Sequence, residues 1–305
     1  MRLSTQYMFQ SNINSMSNAM NAGNDIYMQL SAQRTLLTPS DDPAGASQAV
    51  IYQNALANMQ QFDTARLYAQ DALEQEDNTL TSIGHLLTKN LSEKIVAGGN
   101  GALSDADRQA LATELQGIRD NLLDLGNTTN SNGRYIFGGY KTGSAPFEKD
   151  GTYVGGDTAM TQHVADSTEM QVGHIGSDVF MSGSNDDIFV ALDSAIAALN
   201  EPIVDDADRE ALQKTLDSAN ISIKKGIDNL GKVQAQVGTN LQQIDSLAER
   251  SAVEQINMQS RLQQTVGSDP STMITLASQS KMTEFALNSS MMVFQSMQKL
   301  SIFNM

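Results

Sequence analysis

Apolar residues recur at helical spacing from the first turns of the chain. Ile13, Met20 and Tyr27 lie on one seven-residue line, and Met16, Leu30 and Leu37 lie on the line beside it. The pattern predicts an amphipathic helix near the N-terminus that gains its stability by burying the apolar side. TLLTPSDDPAGASQAV, residues 35–50, interrupts it with two prolines and a Ser-Asp-Asp run. Pro39 disfavours helix just before it, Ser40 or Asp42 can cap the next helix, and Pro43 is tolerated in that helix's first turn.

A second helical line follows through Tyr52, Met59, Leu73, Leu80 and Leu87, broken only by Arg66, with Phe62, Ala69 and Ile83 alongside. This heptad-like seam stops at AGGNG, residues 97–101. Ser104 with Asp107 three positions on reads as a capping box, opening a helix whose buried face is Leu111, Leu115, Ile118, Leu122 and Leu125. From residue 127 the period changes. Asn132-Gly133 is a turn signal flanked by Tyr135 and Phe137, and residues 141–184 read as a small β-rich insertion with short strands expected in GTYV, MTQHVAD and EMQVG.

Helical spacing returns at Ile188, Leu192, Ala195 and Leu199 until EPIV breaks it. Leu216, Ile223, Leu230, Val237 and Ile244 then form the strongest seven-residue line in the chain, flanked by Leu212, Val233 and Leu247. A helix over 206–264 would extend on the order of 80–90 Å, which suits a long bundle. GSDP at 267–270 ends it, and a last helix carries Met273, Leu287 and Phe294 in line with Ala277 and Met291 beside them. The order is nearly palindromic, so the simplest packing brings the two ends side by side. The expected fold is mainly α, an elongated helical bundle formed by the N- and C-terminal halves with a small β-rich inserted domain. Its expected parts are 1–40 plus 265–305 as terminal helices, 41–140 plus 185–264 as a helical rod, and 141–184 as the inserted domain.

Charge sharpens this picture. The formal net charge is -16, yet residues 1–40 hold only Arg2, Asp25 and Arg34, and residues 271–305 only Lys281, Glu284 and Lys299. A self-repelling middle with charge-poor ends suits a molecule that associates through its termini. Methionines in the last helix strengthen that reading, since Met291, Met292 and Met297 cluster with Phe294, Leu300, Ile302 and Phe303. So strong an acidic balance disfavours a nucleic-acid partner. No run is long and apolar enough to insert in a membrane. The N-terminus does not read as a cleaved secretory signal.

Candidate chemistry is sparse. With no cysteine there is no thiolate nucleophile or cysteine-ligated metal. His85, His163 and His174 fall in different elements; the last two could meet Asp157 and Asp166 around a metal, but they lack ligand spacing and read as surface histidines. The glycine clusters match neither phosphate-binding pattern. Asp186-Asp187 and Asp205-Asp206 stand where helices begin, so they read as caps or solvated faces. No enzyme, cofactor or metal is expected.

PSDDPAGASQAV, with the helical termini, resembles the amino-terminal region of the bacterial flagellin superfamily. NTTNSNGRYIFGGYKTGSAPF at 127–147 is similar to its hook-filament junction members, as are MRLSTQ at 1–6, LSDADR at 103–108 and LDSAIAAL at 192–199. The resemblance implies a secreted, non-enzymatic axial protein of the flagellum, exported unfolded on an uncleaved signal and escorted by a cytoplasmic chaperone. It implies paired terminal helices as an inner layer, a helical bundle around them and an outward β domain. It also implies a ring of about eleven subunits, joined by heterologous contacts, between a neighbouring junction protein and flagellin. On the same resemblance, Arg34, Ser40, Asp41, Asp42 and Pro43 match the joint between layers. Leu287, Met291 and Phe294 match the zone of carboxy-terminal packing and chaperone contact. The alternatives are filament flagellin or, outside the flagellum, a coiled-coil binding module or adhesin.

Overall fold

A computed structural model describes the backbone of residues 2–101 and 103–302 and the side chains of 7–101 and 103–299. Leu300, Ile302 and Phe303 of the expected terminal cluster therefore lie outside the described side chains. The elements are α1 (Arg2–Ala32), α2 (Pro43–His85), a π-helical turn (Leu86–Leu91), α3 (Ser92–Gly98), α4 (Asp105–Gly126), β1 (Thr161–Ala165), β2 (Thr168–Gln171), α5 (Gly176–Phe180), α6 (Ile188–Asn200), α7 (Asp206–Val266) and α8 (Pro270–Ile302). The chain packs as two compact units, residues 1–60 with 252–305 and residues 61–251. Their boundaries fall inside α2 and α7.

In the larger unit the seams read from the sequence are the core. Leu73, Leu80 and Leu87 are fully buried, as are Ile223 and Val237, with Leu216, Leu230 and Ile244 nearly so. Together with Leu212, Ala219, Gly226 and Val233 these α7 residues alternate three and four apart as far as Val237, with Ile244 seven further on, the spacing that keeps one stripe facing a partner helix. The partner is α2, running antiparallel. Gln234 Nε2 donates to Thr81 Oγ1 at 3.2 Å, and Gly84 lies so close to Leu230 that an added Cβ would meet its Cδ2 at 3.3 Å. Ser104 and Asp107 form the reciprocal capping box that starts α4, and Asp205 with Asp208 caps α7 in the same way. Asp187 caps α6 through the Phe189 amide at 2.9 Å, whereas its neighbour Asp186 pairs with Lys225 at 2.9 Å.

The inserted segment differs from expectation in its strands. β1 and β2 form one antiparallel hairpin, Thr161 opposite Gln171, while GTYV contributes only an isolated bridge, Phe147 to Tyr153. Aromatic packing supplies the rest of its order: Phe147, Phe180 and Phe189 meet at centroid distances of 5.1–5.3 Å. These rings join the same buried cluster as the α2, α4 and α7 seams. Gly126 and Gly176 are required by that contact, because a Cβ on either would fall within about 3 Å of the Phe147 ring.

Arg66, which broke the apolar line of α2, is buried. Its guanidinium donates to the Val164 carbonyl of β1 at 2.7 Å and pairs with Asp63. Glu76, on the Ala69–Ile83 line, is buried against His174. Arg119 does similar work from α4, gripping Asp193 on α6 at 2.5 and 3.1 Å and the Lys149 carbonyl at 3.0 Å. These side chains fasten the insertion to the helices through hydrogen bonds that apolar residues cannot make.

Leu73→Ala should lower the unfolding free energy of the full chain by about 2–5 kcal/mol in chemical denaturation, because it opens a cavity in a closed seam. Tyr68→Ala, on the exposed face of the same helix, should change it by no more than about 0.5 kcal/mol.

Candidate functional site

The smaller unit is built on α1 and α8, which pack antiparallel. Their facing stripes are again three and four apart: Asn12, Met16, Ala19, Gly23, Ile26 and Leu30 on α1, and Met273, Leu276, Ser280, Thr283, Leu287, Ser290, Phe294 and Met297 on α8, every one at least half-buried. Phe9 lies against Phe294 at 5.1 Å, and Asn12 Nδ2 donates to Met297 Sδ at 3.0 Å. Where Gly23 faces Thr283, a Cβ would still reach only 3.5 Å from its Cγ2. Small residues at this level let the two backbones approach. The Tyr27 hydroxyl donates to Glu284 Oε1 at 2.8 Å, and Lys281 pairs with the other oxygen at 3.0 Å. Those two hydrogen bonds hold the Glu284 carboxyl below its ordinary range, and the bond to Glu284 with its negative charge raises the Tyr27 hydroxyl.

This stripe corrects the sequence reading of α1. Met16 and Leu30 belong to it, but Met20 and Tyr27, expected on the buried line with Ile13, are more than half exposed. On α8, Leu287 and Phe294 face α1 whereas Met291 points outward, as do Met282, Phe285, Met292 and Val293. Tyr7, Met8, Met28 and Ile274 are exposed in the same unit. The pair therefore satisfies one apolar stripe and leaves large apolar side chains uncovered on its other faces. An exposed apolar surface of this extent marks an interaction site in a folded protein. The charges agree: residues 61–251 hold 14 basic and 29 acidic side chains, and the smaller unit holds five and six.

The two joints have one design. α1 ends with Gln33 in the left-handed region at φ 53°, its amide bonded to the Leu30 carbonyl and that of Arg34 to Gln29. α7 ends with Gly267 at φ 66°, its amide bonded to Gln264 and that of Ser268 to Gln263. Both are Schellman closures. Each then leads into an Asp-Pro start. Asp42 accepts from the Ala44 and Gly45 amides at 3.1 and 3.0 Å, and Asp269 from the Thr272 amide at 3.1 Å. Pro43 and Pro270 occupy the first helical position, where no amide is missed. The joints are also bonded to each other, since the Val266 carbonyl accepts from the Thr35 and Leu36 amides at 3.0 and 3.1 Å. Gly267 cannot be replaced cheaply here, because a Cβ would fall 1.8 Å from Thr35 Oγ1.

The structure thus divides roles among the expected joint residues. Asp42 is the helix cap, and Pro43 follows it. Asp41 instead closes the loop behind, accepting from the Leu37 and Thr38 amides and the Thr38 hydroxyl, which also meets Ser40 at 2.9 Å. The Thr38 amide and hydroxyl are what hold the Asp41 carboxyl below its ordinary value. Arg34 enters through its backbone, and its side chain is exposed. Leu287 and Phe294 lie about 25–36 Å further along α8, so the joint and the carboxy-terminal stripe are separate features of one unit. Sequence reading missed Gln33, for which no glycine signal existed, and Leu276, which is buried against α1 while its exposed neighbour Ala277 was chosen.

The two histidines of the insertion have different settings. His163 is exposed on β1, and His174, read as a surface residue, is buried against Glu76. Among the described residues no group of three or more His, Asp or Glu side chains could hold a metal. No described helix is long and apolar enough to cross a membrane.

Antiparallel terminal helices leading through matched joints into a longer helical unit define a flagellin-type chain, and residues 3–142 match the bacterial flagellin N-terminal helical region. Flagellar hook-associated protein 3 of Escherichia coli strain K12 is 39% identical across 100% of this chain and 99% of its own length. Its Salmonella typhimurium strain LT2 counterpart is 36% identical with the same coverage. This chain belongs to the flagellar hook-associated protein 3 family. The fold agrees with the crystal structure of a flagellar junction protein from Legionella pneumophila, at 18% identity and a TM-score of 0.59 over 72% of this chain and 100% of that one.

Gln33→Gly should raise the stability of the chain by about 0.5–1 kcal/mol by relieving the left-handed side chain, measured as a shift in thermal unfolding. The Ser271 and Thr272 hydroxyls and the Thr272 amide hold the Asp269 carboxyl at about 2, against an ordinary value of 3.8. A depressed carboxyl contributes its stabilisation above the unfolded value and loses it as pH falls through the folded one. The start of α8 should therefore open between about pH 4 and pH 2. A carboxyl NMR titration of Asp269 should give a midpoint near 2, and a midpoint near 3.8 would remove the cap from the account.

Proposed function

We propose that this protein is a non-enzymatic structural subunit of the bacterial flagellum, secreted and seated at the junction between hook and filament. It joins the hook, through a neighbouring junction protein, to flagellin, and the filament cannot assemble without it. The observation that carries this reading is the α1–α8 pair, which buries one stripe and leaves a nearly uncharged apolar surface for neighbouring subunits. Heterologous contacts through that surface generate a ring of about eleven copies continuous with a helical lattice.

In this reading residues 1–40 and 265–305 form the inner layer, 41–140 with 185–264 the surrounding rod, and 141–184 the outward part. The matched joints carry the chain between layers, with Arg34 and Ser40 to Pro43 on one side and Gly267 to Pro270 on the other. Export proceeds on the uncleaved amino-terminal region, and a cytoplasmic chaperone covers the carboxy-terminal helix around Leu287, Met291 and Phe294 beforehand. Support for the junction over the filament comes from the relatives, which are hook-associated proteins along their whole length.

A chain lacking 271–305 should keep the 61–251 unit folded, as read by circular dichroism, and fail to enter flagella, leaving cells without filaments. Normal filaments and normal motility in that strain would refute the proposal.

A further inference from the structure

Towards the end of α2 the buried residues Ile83, Leu87, Leu91 and Ile95 follow one another four apart. In an α-helix that spacing steps about 40° round the axis each time. The π turn at Leu86–Leu91, wider than an α turn, takes up the drift and keeps Leu87 and Leu91 in the core. Between this turn and α4 opens a groove of about 670 Å³, room for several side chains rather than one ion. Half-buried Leu86 and Leu125 line it with apolar surface, and exposed Lys89 and Asp124 stand in it with no ion pair to any described residue. Single π turns of this kind gather at functional sites.

A matching projection stands elsewhere on the same unit. Val204, in the loop between α6 and α7, is 85% exposed, more than any other large apolar side chain described. The loop is fixed: the Val204 amide donates to Asp208 Oδ2 at 2.8 Å, and Ile203 beside it is half-buried. Exposed Glu201 and Asp206 flank Val204, and Arg209 pairs with Asp206 at 2.7 Å. We propose that Val204 of one copy seats on Leu86 and Leu125 of a second copy, with Glu201 and Asp206 toward Lys89 and Arg209 toward Asp124. The occupant is another copy because the loop cannot reach its own groove. Ile203 shares a small cavity with Gly98, and Gly98 lies about 20 Å along the helix from His85 at the groove. A groove and a projection at different places on one chain make a heterologous contact, the kind that builds a ring or a lattice. The inference rests on the assembly of copies proposed above and adds a contact on the larger unit to that of α1 and α8.

The chain has no cysteine, so introduced thiols report without interference. The test is oxidative cross-linking in intact flagella of the full chain carrying Val204→Cys together with Asn121→Cys, an exposed position on the groove wall. Covalent multimers are expected from the double variant, and none from a chain with only one of the two changes. A double variant that enters flagella and stays monomeric overturns the contact while leaving the junction role intact; absence of the unaltered chain from flagella would overturn both. Should the double variant fail to enter flagella, a charge exchange at exposed positions decides. Lys89→Glu should lower the number of filaments per cell about threefold, the effect of one like-charge contact near a surface, and Asp206→Lys in the same chain should restore it. No loss with Lys89→Glu, or no recovery with the second change, overturns the proposal.

Discussion

Every long helix of this protein carries an apolar stripe that it cannot cover by itself, and each finds its cover far along the chain. α2 meets α7 across about 150 residues of sequence, with Thr81 bonded to Gln234, and α1 meets α8 across a still longer gap, with Asn12 bonded to Met297. Stripes of alternating three- and four-residue spacing fix which face turns inward. The near-palindromic order of the sequence is the consequence, because antiparallel partners must be met in reverse on the return. Such pairing requires the two halves of the chain to be present together before either stripe is satisfied.

The polar interruptions of these stripes are as informative as the stripes. Arg66 and Glu76 occupy seam positions on α2 and spend their hydrogen bonds on Val164 and His174 of the insertion. The insertion has only one short hairpin of its own, too little to be stable alone. It is held by these contacts, by the Phe147–Phe180–Phe189 cluster and by the Arg119 grip on Asp193 and Lys149. Breaking the apolar line of the helix is thus what gives the β segment a fixed seat.

Much of this was legible beforehand. The α7 line from Leu216 to Ile244 is buried throughout, the Ser104–Asp107 box is present, and the kinship of PSDDP and GSDP has a structural basis in two Asp-Pro helix starts. The errors fall where the periodicity argument loses its grip. On α1 a stripe containing Asn12, Ala19 and Gly23 is too small and polar to stand out from its neighbours, so the larger Met20 and Tyr27 drew the line one position aside. GTYV has strand-like residues, yet Tyr153 is used as a ring against Phe147 with its hydroxyl donating to the Gly156 carbonyl at 2.6 Å, leaving no partner strand. Buried His174 could not be read at all, since its partner lies 98 residues away.

Function follows from what the pairing leaves undone. One unit closes its seams and keeps the acidic surface that holds it in solution; the other closes a single stripe and presents Tyr7, Met28, Phe285 and their neighbours unpartnered. A chain so divided is suited to a lattice, and its full-length relatives are hook-associated proteins of the flagellum. The most direct measurement is immunoelectron microscopy of intact flagella with an antibody against residues 141–184. The account predicts label in a single band between hook and filament. Label distributed along the filament, or absent from flagella altogether, would contradict it.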